Sequence, residues 1–127
     1  MAKDYTIAYL LDLYGPALTE KQRNLVDYYY NEDLSLSEIS ENEGITRQGA
    51  RDSIKRAENQ LREWEDKLGL LRQRQRREEA AGRLQTAASQ ALVLLGQPGR
   101  EAEVRARLRE ILQTAEGLQE PAPGTGM

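Results

Sequence analysis

Several residue types that commonly build functional sites are missing from this sequence. It has no cysteine, no histidine and no phenylalanine, and its aromatic residues are six tyrosines and one tryptophan. Zinc, haem and iron–sulfur sites therefore lack their usual ligands, disulfides are excluded, and no calcium-loop spacing of oxygen ligands is present. We expect neither a metal nor a cofactor, and we find no candidate catalytic residue.

Long apolar stretches are missing as well. No run approaches the roughly 20 apolar residues that a membrane-spanning helix needs. The first residues, Met1-Ala2-Lys3-Asp4-Tyr5, include an acidic side chain and lack the apolar segment of a secretion signal. These features predict a cytoplasmic protein without a membrane partner.

The charges are distributed unevenly along the chain. Residues 1–68 hold nine basic and fourteen acidic side chains, a net charge of −5, whereas residues 69–127 hold nine and seven, a net charge of +2. A DNA-binding domain is usually basic on at least one face. The acidic first half therefore argues against duplex binding unless its cations lie together on one face.

Apolar residues recur at helical spacings along the chain, and the alternation typical of strands is absent. The pattern predicts an all-α fold in three parts. Residues 1–68 form a helix-turn-helix domain that ends in a long helix, and residues 69–118 form an Arg-, Ala- and Gln-rich helical extension with a turn at Gly96-Gln97-Pro98-Gly99. Residues 119–127 have little to bury and are predicted to be a disordered tail.

Short polar motifs mark where helices start and end in the first half. Gly15-Pro16 predicts the end of the first helix, with Gly15 in the left-handed conformation. Thr19 and Gln22 have the spacing of a capping box, in which two side chains satisfy backbone N–H groups reciprocally. Thr46 is predicted to cap the long helix.

The long helix carries a heptad repeat of apolar residues, the seam expected when one helix docks along another. The members of the heptad are Ala50, Ile54, Ala57, Leu61, Trp64, Leu68 and Leu71. We expect a homodimer joined through this heptad, through the C-terminal helices, or through both. The alternative is that residues 84–118 cover the seam within one chain. The candidate residues for dimer or helix packing are Ile54, Leu61, Trp64 and Leu68.

Residues 36–54 have the organisation of a helix-turn-helix. Ser35 and Glu38 predict a second capping box at the start of a short first helix. Gly44 permits the positive backbone angle of a tight turn, and Ile45 is predicted to fill the core between the two helices.

The solvent side of the second helix is the first candidate nucleic-acid or partner-binding site. Its residues are Arg47, Gln48, Arg51, Lys55 and Arg56. The first turns of a recognition helix present side chains to base edges, where arginine suits guanine and glutamine suits adenine. The same helical unit also serves as a protein-docking platform, so both interpretations stay open.

A second basic run forms the second candidate binding site. It consists of Arg72, Arg74, Arg76 and Arg77, and Glu78-Glu79 follows at once. In one interpretation these arginines bind RNA phosphates, because the guanidinium fork matches phosphate oxygens. In the other they form a solvated helix surface with local ion pairs to the two glutamates.

The stretch from Tyr9 to Leu68 resembles the YlxM family of small bacterial proteins. The matching segments are residues 10–15, 18–23 (Leu-Thr-Glu-Lys-Gln-Arg), 28–30, 33–39 and 47–56. The resemblance covers about half of the chain, and after Gly69 no counterpart is found. It implies a fold like region 4 of sigma factors, and it brings no catalytic residues.

The resemblance also implies a function. The family is encoded beside the signal recognition particle GTPase and its receptor, which implies a non-enzymatic regulatory or accessory role in that pathway, with the GTPase or its RNA as partner. The alternative is a sequence-specific DNA-binding transcriptional regulator that uses Arg47, Gln48 and Arg51 in the major groove. A third class is a purely structural dimerisation module. The acidic first half favours the first role, because phosphate contacts supply much of the affinity for DNA.

Overall fold

The computed structural model describes residues 2–119, and these residues form helices without a strand, which confirms the all-α prediction. The helices are α1 (Thr6–Tyr14), α2 (Glu20–Tyr30), α3 (Leu36–Glu43), α4 (Arg47–Leu68), α5 (Leu70–Leu95) and α6 (Glu101–Gly117), with a 3₁₀ turn at Gly15–Ala17. Apart from Gln119, the predicted disordered tail lies outside the described residues. The chain divides into two units after Leu71.

Both predicted capping boxes are present. Thr19 Oγ1 accepts a hydrogen bond from the Gln22 N–H, and Gln22 Oε1 accepts one from the Thr19 N–H, both at 3.2 Å. Ser35 and Glu38 form the same reciprocal pair at 3.1 Å. The positions where α2 and α3 begin are therefore set by local sequence, because each box satisfies N–H groups that have no partner within the helix.

Gly15 ends α1 for a different reason from the one predicted. Its backbone is right-handed, with φ −50° and ψ −40°. A Cβ at this position would lie 3.3 Å from Leu11 Cδ1, so the glycine serves close packing rather than a positive φ. The left-handed terminator is Gly69, whose φ of +66° ends α4.

The core of the first unit is built around α4, which packs against α1, α2 and α3. Ala50, Ile54, Ala57 and Leu61 are completely buried in this core. The heptad from Ala50 to Leu61 is therefore covered by helices of its own unit. The prediction that a second copy, or residues 84–118, covers this part of the seam is wrong.

The end of the heptad behaves differently. Trp64 is half-buried and packs on Tyr14, with ring centroids 6.3 Å apart. Leu68 lies on the same stripe but is 53% exposed, so it is not a core residue. Leu71 is buried again, in the first turn of α5. The cover of the apolar stripe is therefore interrupted at Leu68.

The second unit is a helical hairpin made by residues 72–95 of α5 and by α6. Its buried residues among positions 72–119 are Ala80, Ala87 and Ala91, and α6 buries none. Arg76 Nη2 donates to the Gly117 carbonyl at 2.7 Å and so ties the ends of the hairpin together. None of the helices in residues 2–119 is long and apolar enough to cross a membrane.

Candidate nucleic-acid or partner interface

Helices α3 and α4 form the predicted helix-turn-helix. Gly44 ends α3 with a φ of +66°, and the Ile45 N–H reaches back to the Ser40 carbonyl at 3.1 Å. Ile39 is fully buried between the helices, and Ile45 packs against the same core. The turn therefore aims the first residues of α4 away from the core.

The start of α4 is held by its predicted cap. Thr46 Oγ1 accepts a hydrogen bond from the Gly49 N–H at 2.9 Å. A Cβ on residue 49 would lie 3.0 Å from that oxygen, so glycine leaves room for the cap. No acidic residue lies in the first turn, and the partial positive charge of the helix N-terminus is not offset there.

Four cations line the exposed side of α4 over its first three turns. This basic face consists of Arg47, Arg51, Lys55 and Arg56, all of them exposed. None of the four forms an ion pair with any residue between positions 2 and 119. The local separation of charge that the acidic first half requires is therefore present on this helix.

Three other cations of the first unit are neutralised locally. Lys3 pairs with Asp33 at 2.6 Å, and Arg62 lies 3.4 Å from Asp4. Lys67 pairs with Glu63 at 3.1 Å. The basic face differs from these three cations in that its members form no ion pair within residues 2–119, although Asp52 lies among them on α4.

Sequence analysis missed Asp52, which belongs to this surface. Gln48, a predicted base-reading residue, donates from Nε2 to Asp52 Oδ1 at 2.9 Å. Asp52 also lines a shallow open groove with Arg51, Lys55 and neighbouring polar residues of α4. The signal was available, because residues four apart on a helix are neighbours. The pair orients the glutamine amide and places an acceptor within the basic face.

Helix α3 presents the opposite charge. Glu38, Glu41 and Glu43 are exposed, and residues 36–43 include no basic residue. In helix-turn-helix complexes the first helix crosses the DNA backbone. Here that helix offers carboxylates to the phosphates, so phosphate binding depends on α4.

A buried polar cluster fixes α4 against α2. Glu58 is only 4% exposed, and its Oε1 accepts a hydrogen bond from the Tyr30 hydroxyl at 2.6 Å. Burial, and after it the hydrogen bond to Glu58, raises the pKa of the Tyr30 phenol, which therefore stays protonated and donates. Arg62 Nη1 lies 3.8 Å from the other carboxylate oxygen. Glu58 lies on the same stripe of α4 as Arg51, seven residues later, so this cluster holds the helix that carries the basic face against α2.

A second polar cluster fixes the end of α4. Glu65 Oε1 accepts hydrogen bonds from the Tyr14 hydroxyl at 2.7 Å and from the Leu71 N–H at 2.9 Å. The Leu70 N–H donates to the Tyr14 hydroxyl at 3.0 Å. Two otherwise unpaired N–H groups at the start of α5 are thereby satisfied. No local motif indicates this contact, because Tyr14 and Glu65 are 51 residues apart in the chain.

The second candidate site is largely engaged within its own unit. Arg74 Nε pairs with Glu78 Oε1 at 3.2 Å, as the interpretation with local ion pairs predicts. Arg76 donates a hydrogen bond to the Gly117 carbonyl. Arg72 is not free either, because it interacts with other groups of the protein. Arg77 is exposed. The structure therefore does not bring these four arginines together as one free cationic surface.

No group of three or more acidic side chains suited to a metal ion occurs in the part of the chain that the structure describes. The groove on α4 is open and shallow, unlike the enclosed apolar pockets that bind small molecules. The geometry suits a macromolecular partner that approaches the exposed side of α4.

Comparison with known proteins identifies relatives of this chain. Residues 1–94 match a family model described as "Putative helix-turn-helix protein, YlxM / p13 like". A UPF0122 protein of Clostridium kluyveri is 48% identical over 79 residues, which are 62% of this chain and 71% of the relative. A UPF0122 protein of Geobacillus kaustophilus is 40% identical over 111 residues, 87% of this chain and 96% of the relative.

These matches extend further than the resemblance seen in the sequence. The family model continues to residue 94, past Gly69. A UPF0122 protein of Bacillus thuringiensis is 36% identical over 118 residues, 93% of this chain and 98% of the relative. The expectation that the extension has no counterpart is therefore wrong.

Proposed function

The chain belongs to the UPF0122 family of YlxM- and p13-like helix-turn-helix proteins, and on that premise we propose that it is a non-enzymatic, cytoplasmic regulatory protein of the signal recognition particle pathway. In this proposal its partner is the RNA of the particle, which it binds through the basic face of α4. The placement in this pathway rests on the family resemblance, and the choice of a nucleic acid rests on the chemistry of the face.

The observation that carries the proposal is the set of four exposed cations without an ion pair among the described residues. From Arg47 to Arg56 they extend over about 14 Å of one helix. Guanidinium and ammonium groups that are not neutralised by the protein bind phosphates with release of counterions. Folded RNA brings phosphates of adjacent segments together, and a narrow cationic face can bind them without a second basic helix.

A sequence-specific DNA-binding regulator is the second candidate. It is favoured by the position of Arg47, Gln48 and Arg51 in the first two turns of α4, where recognition helices read bases. Two features oppose it. The carboxylates of α3 face the side where the duplex backbone passes, and Asp52 already holds the Gln48 amide.

The two candidates are separated by binding measurements on the full chain at about 150 mM salt. The probes are the particle RNA, the particle GTPase without RNA, and a pool of random DNA duplexes. We expect binding to the RNA and no duplex consensus after selection. Arg51→Ala should weaken RNA binding by about 3- to 10-fold, since one phosphate contact is lost. Arg74→Ala is the matched control and should leave the affinity unchanged, because Arg74 pairs with Glu78.

A sharp duplex consensus, relaxed at one position by Arg51→Ala, contradicts the RNA proposal and establishes the DNA-binding alternative. Binding to the GTPase alone, without binding to the RNA and without a duplex consensus, contradicts both candidate functions. The basic face is then a protein-docking surface.

We also predict that the purified chain hydrolyses no nucleotide. It has no Gly-x4-Gly-Lys-Ser/Thr loop and no histidine or cysteine for acid–base or nucleophilic chemistry. Phosphate release is measured with GTP and ATP, with and without the particle GTPase. Turnover that stays with the chain through successive purification steps contradicts the prediction.

A further inference from the structure

The hairpin of the second unit leaves several of its large apolar side chains in solvent. Among residues 72–119 the buried positions are all alanines. Four leucines are more than half exposed: Leu92 at 71%, Leu95 at 67%, Leu108 at 54% and Leu112 at 59%. Helices gain most of their stability from burying an apolar face. This hairpin leaves part of its apolar surface uncovered.

The four leucines lie on one side of the hairpin, which we name the leucine flank. Leu92 and Leu95 are three residues apart on α5, and Leu108 and Leu112 are four apart on α6, so each pair shares a helix face. Leu95 and Leu108 line the same groove, together with Val104. Val93 points to the other side, where it lines a different groove with Ala106 and Arg107.

We propose that the leucine flank is a dimer interface and that its occupant is a second copy of this chain. The four leucines expose roughly 500 Å² per copy, so two copies bury roughly 1,000 Å², the size at which specific interfaces begin. Ala88 and Leu84, one and two turns before Leu92 on α5, extend the flank. Two hairpins packed through this side form a four-helix bundle with a leucine core.

Charges on α6 fit this pairing when the two α6 helices run antiparallel. A two-fold axis at the level of residue 110 brings Leu108 of one copy to the Leu112 position of the other. The same axis brings Arg105 to within one residue of the level of Glu116 of the other copy, about 1.5 Å along the axis, on the same edge of the helix. Both side chains are exposed, and neither forms an ion pair within residues 2–119.

The last residues of the chain are less suited than a second copy to pack on the leucine flank. Residues 120–127, Glu-Pro-Ala-Pro-Gly-Thr-Gly-Met, contain no leucine, isoleucine, valine or aromatic residue. A second copy supplies matching leucines by symmetry, since an isologous interface pairs the same patch on both subunits. This inference does not depend on the partner of the basic face.

Sedimentation equilibrium of the full chain from 1 to 100 µM tests the proposal. The expected species is a dimer with twice the chain mass of 14.4 kDa. Leu92→Glu should raise the dimer Kd by at least about 100-fold, because each dimer loses two buried leucines and must bury two carboxylates. Val93→Glu is the matched control, adjacent in sequence and 66% exposed, and should leave the Kd unchanged.

Two further experiments, a charge reversal and a cysteine cross-link, keep the test independent of folding. Arg105→Glu should weaken the dimer about fivefold, and adding Glu116→Arg should restore it. Because the chain has no cysteine of its own, mixed Leu108→Cys and Leu112→Cys copies should form a disulfide-linked dimer, whereas Val93→Cys copies should not. A monomeric wild-type chain at 100 µM overturns the proposal. Equal dimerisation of Leu92→Glu and Val93→Glu also overturns it, since the interface then lies elsewhere.

Discussion

Replacing Arg47, Arg51 and Lys55 together by alanine is expected to weaken RNA binding on the order of 100-fold at physiological salt. The three side chains are exposed and lie on successive turns of α4 without an ion pair among the described residues. Each one that neutralises a phosphate releases about 0.7 to 0.9 of a counterion. The slope of log K against log salt should therefore decrease in magnitude by about 2, as measured by fluorescence anisotropy between 50 and 300 mM salt.

The matched control removes the same charge from the second basic run. Arg72, Arg74 and Arg77 are replaced by alanine, and we expect affinity to stay within about threefold of wild type. Alanine favours helix at all six positions, so folding should not explain a difference. Equal losses for the two triple variants contradict the assignment to α4, because binding then follows net charge alone.

Leu61→Ala should lower the free energy of unfolding of the first unit by about 3–5 kcal/mol. Leu61 is completely buried where α4 meets the other helices of its unit. Truncation removes buried methyl groups and leaves a cavity that well-packed neighbours cannot fill. Urea denaturation followed by Trp64 fluorescence measures the change, since Trp64 is the only tryptophan and packs on Tyr14 in this unit.

Leu68→Ala is the control for that measurement. Leu68 occupies the same heptad position one repeat later, yet it is 53% exposed. Its replacement should cost less than about 1 kcal/mol. Trp64→Ala, followed by circular dichroism because it removes the only tryptophan, should lie between the two, since the indole is half-buried. Similar costs for Leu61→Ala and Leu68→Ala contradict the burial assignment and mean that something covers the end of α4 in solution.

The beginnings of the helices were predictable because their causes are local. Thr19, Ser35 and Thr46 each accept a hydrogen bond from a backbone N–H three residues later, and such contacts need only a short segment of chain. Gly15 was the exception. Its role depends on contact with Leu11 one turn earlier, which the motif Gly-Pro does not reveal.

The residues of the candidate interface could be predicted from the sequence. The sequence did not show which of the two basic segments would be engaged by other groups of the folded chain. The sequence placed Arg47, Arg51 and Lys55 on one helix side, because residues four apart are neighbours along a helix, and it placed Arg56 next to Lys55, about a quarter of a turn further round. It did not distinguish them from Arg74 and Arg76, which are equally basic. The difference arises from Glu78 and the Gly117 carbonyl, which engage the latter pair in the folded hairpin.

The amino-acid sequence was sufficient to predict an all-α chain, the start of each capped helix, and a helix-turn-helix with basic side chains at the start of its second helix. These properties follow from backbone hydrogen bonding and a period of 3.6 residues, which act within one or two turns. Which apolar surfaces are covered depends instead on how the helices pack against one another. Leu61 and Leu68 follow the same pattern, but burial depends on whether another helix reaches the position. That depends on the lengths and packing of α1, α2 and α3, and no periodicity within α4 encodes them.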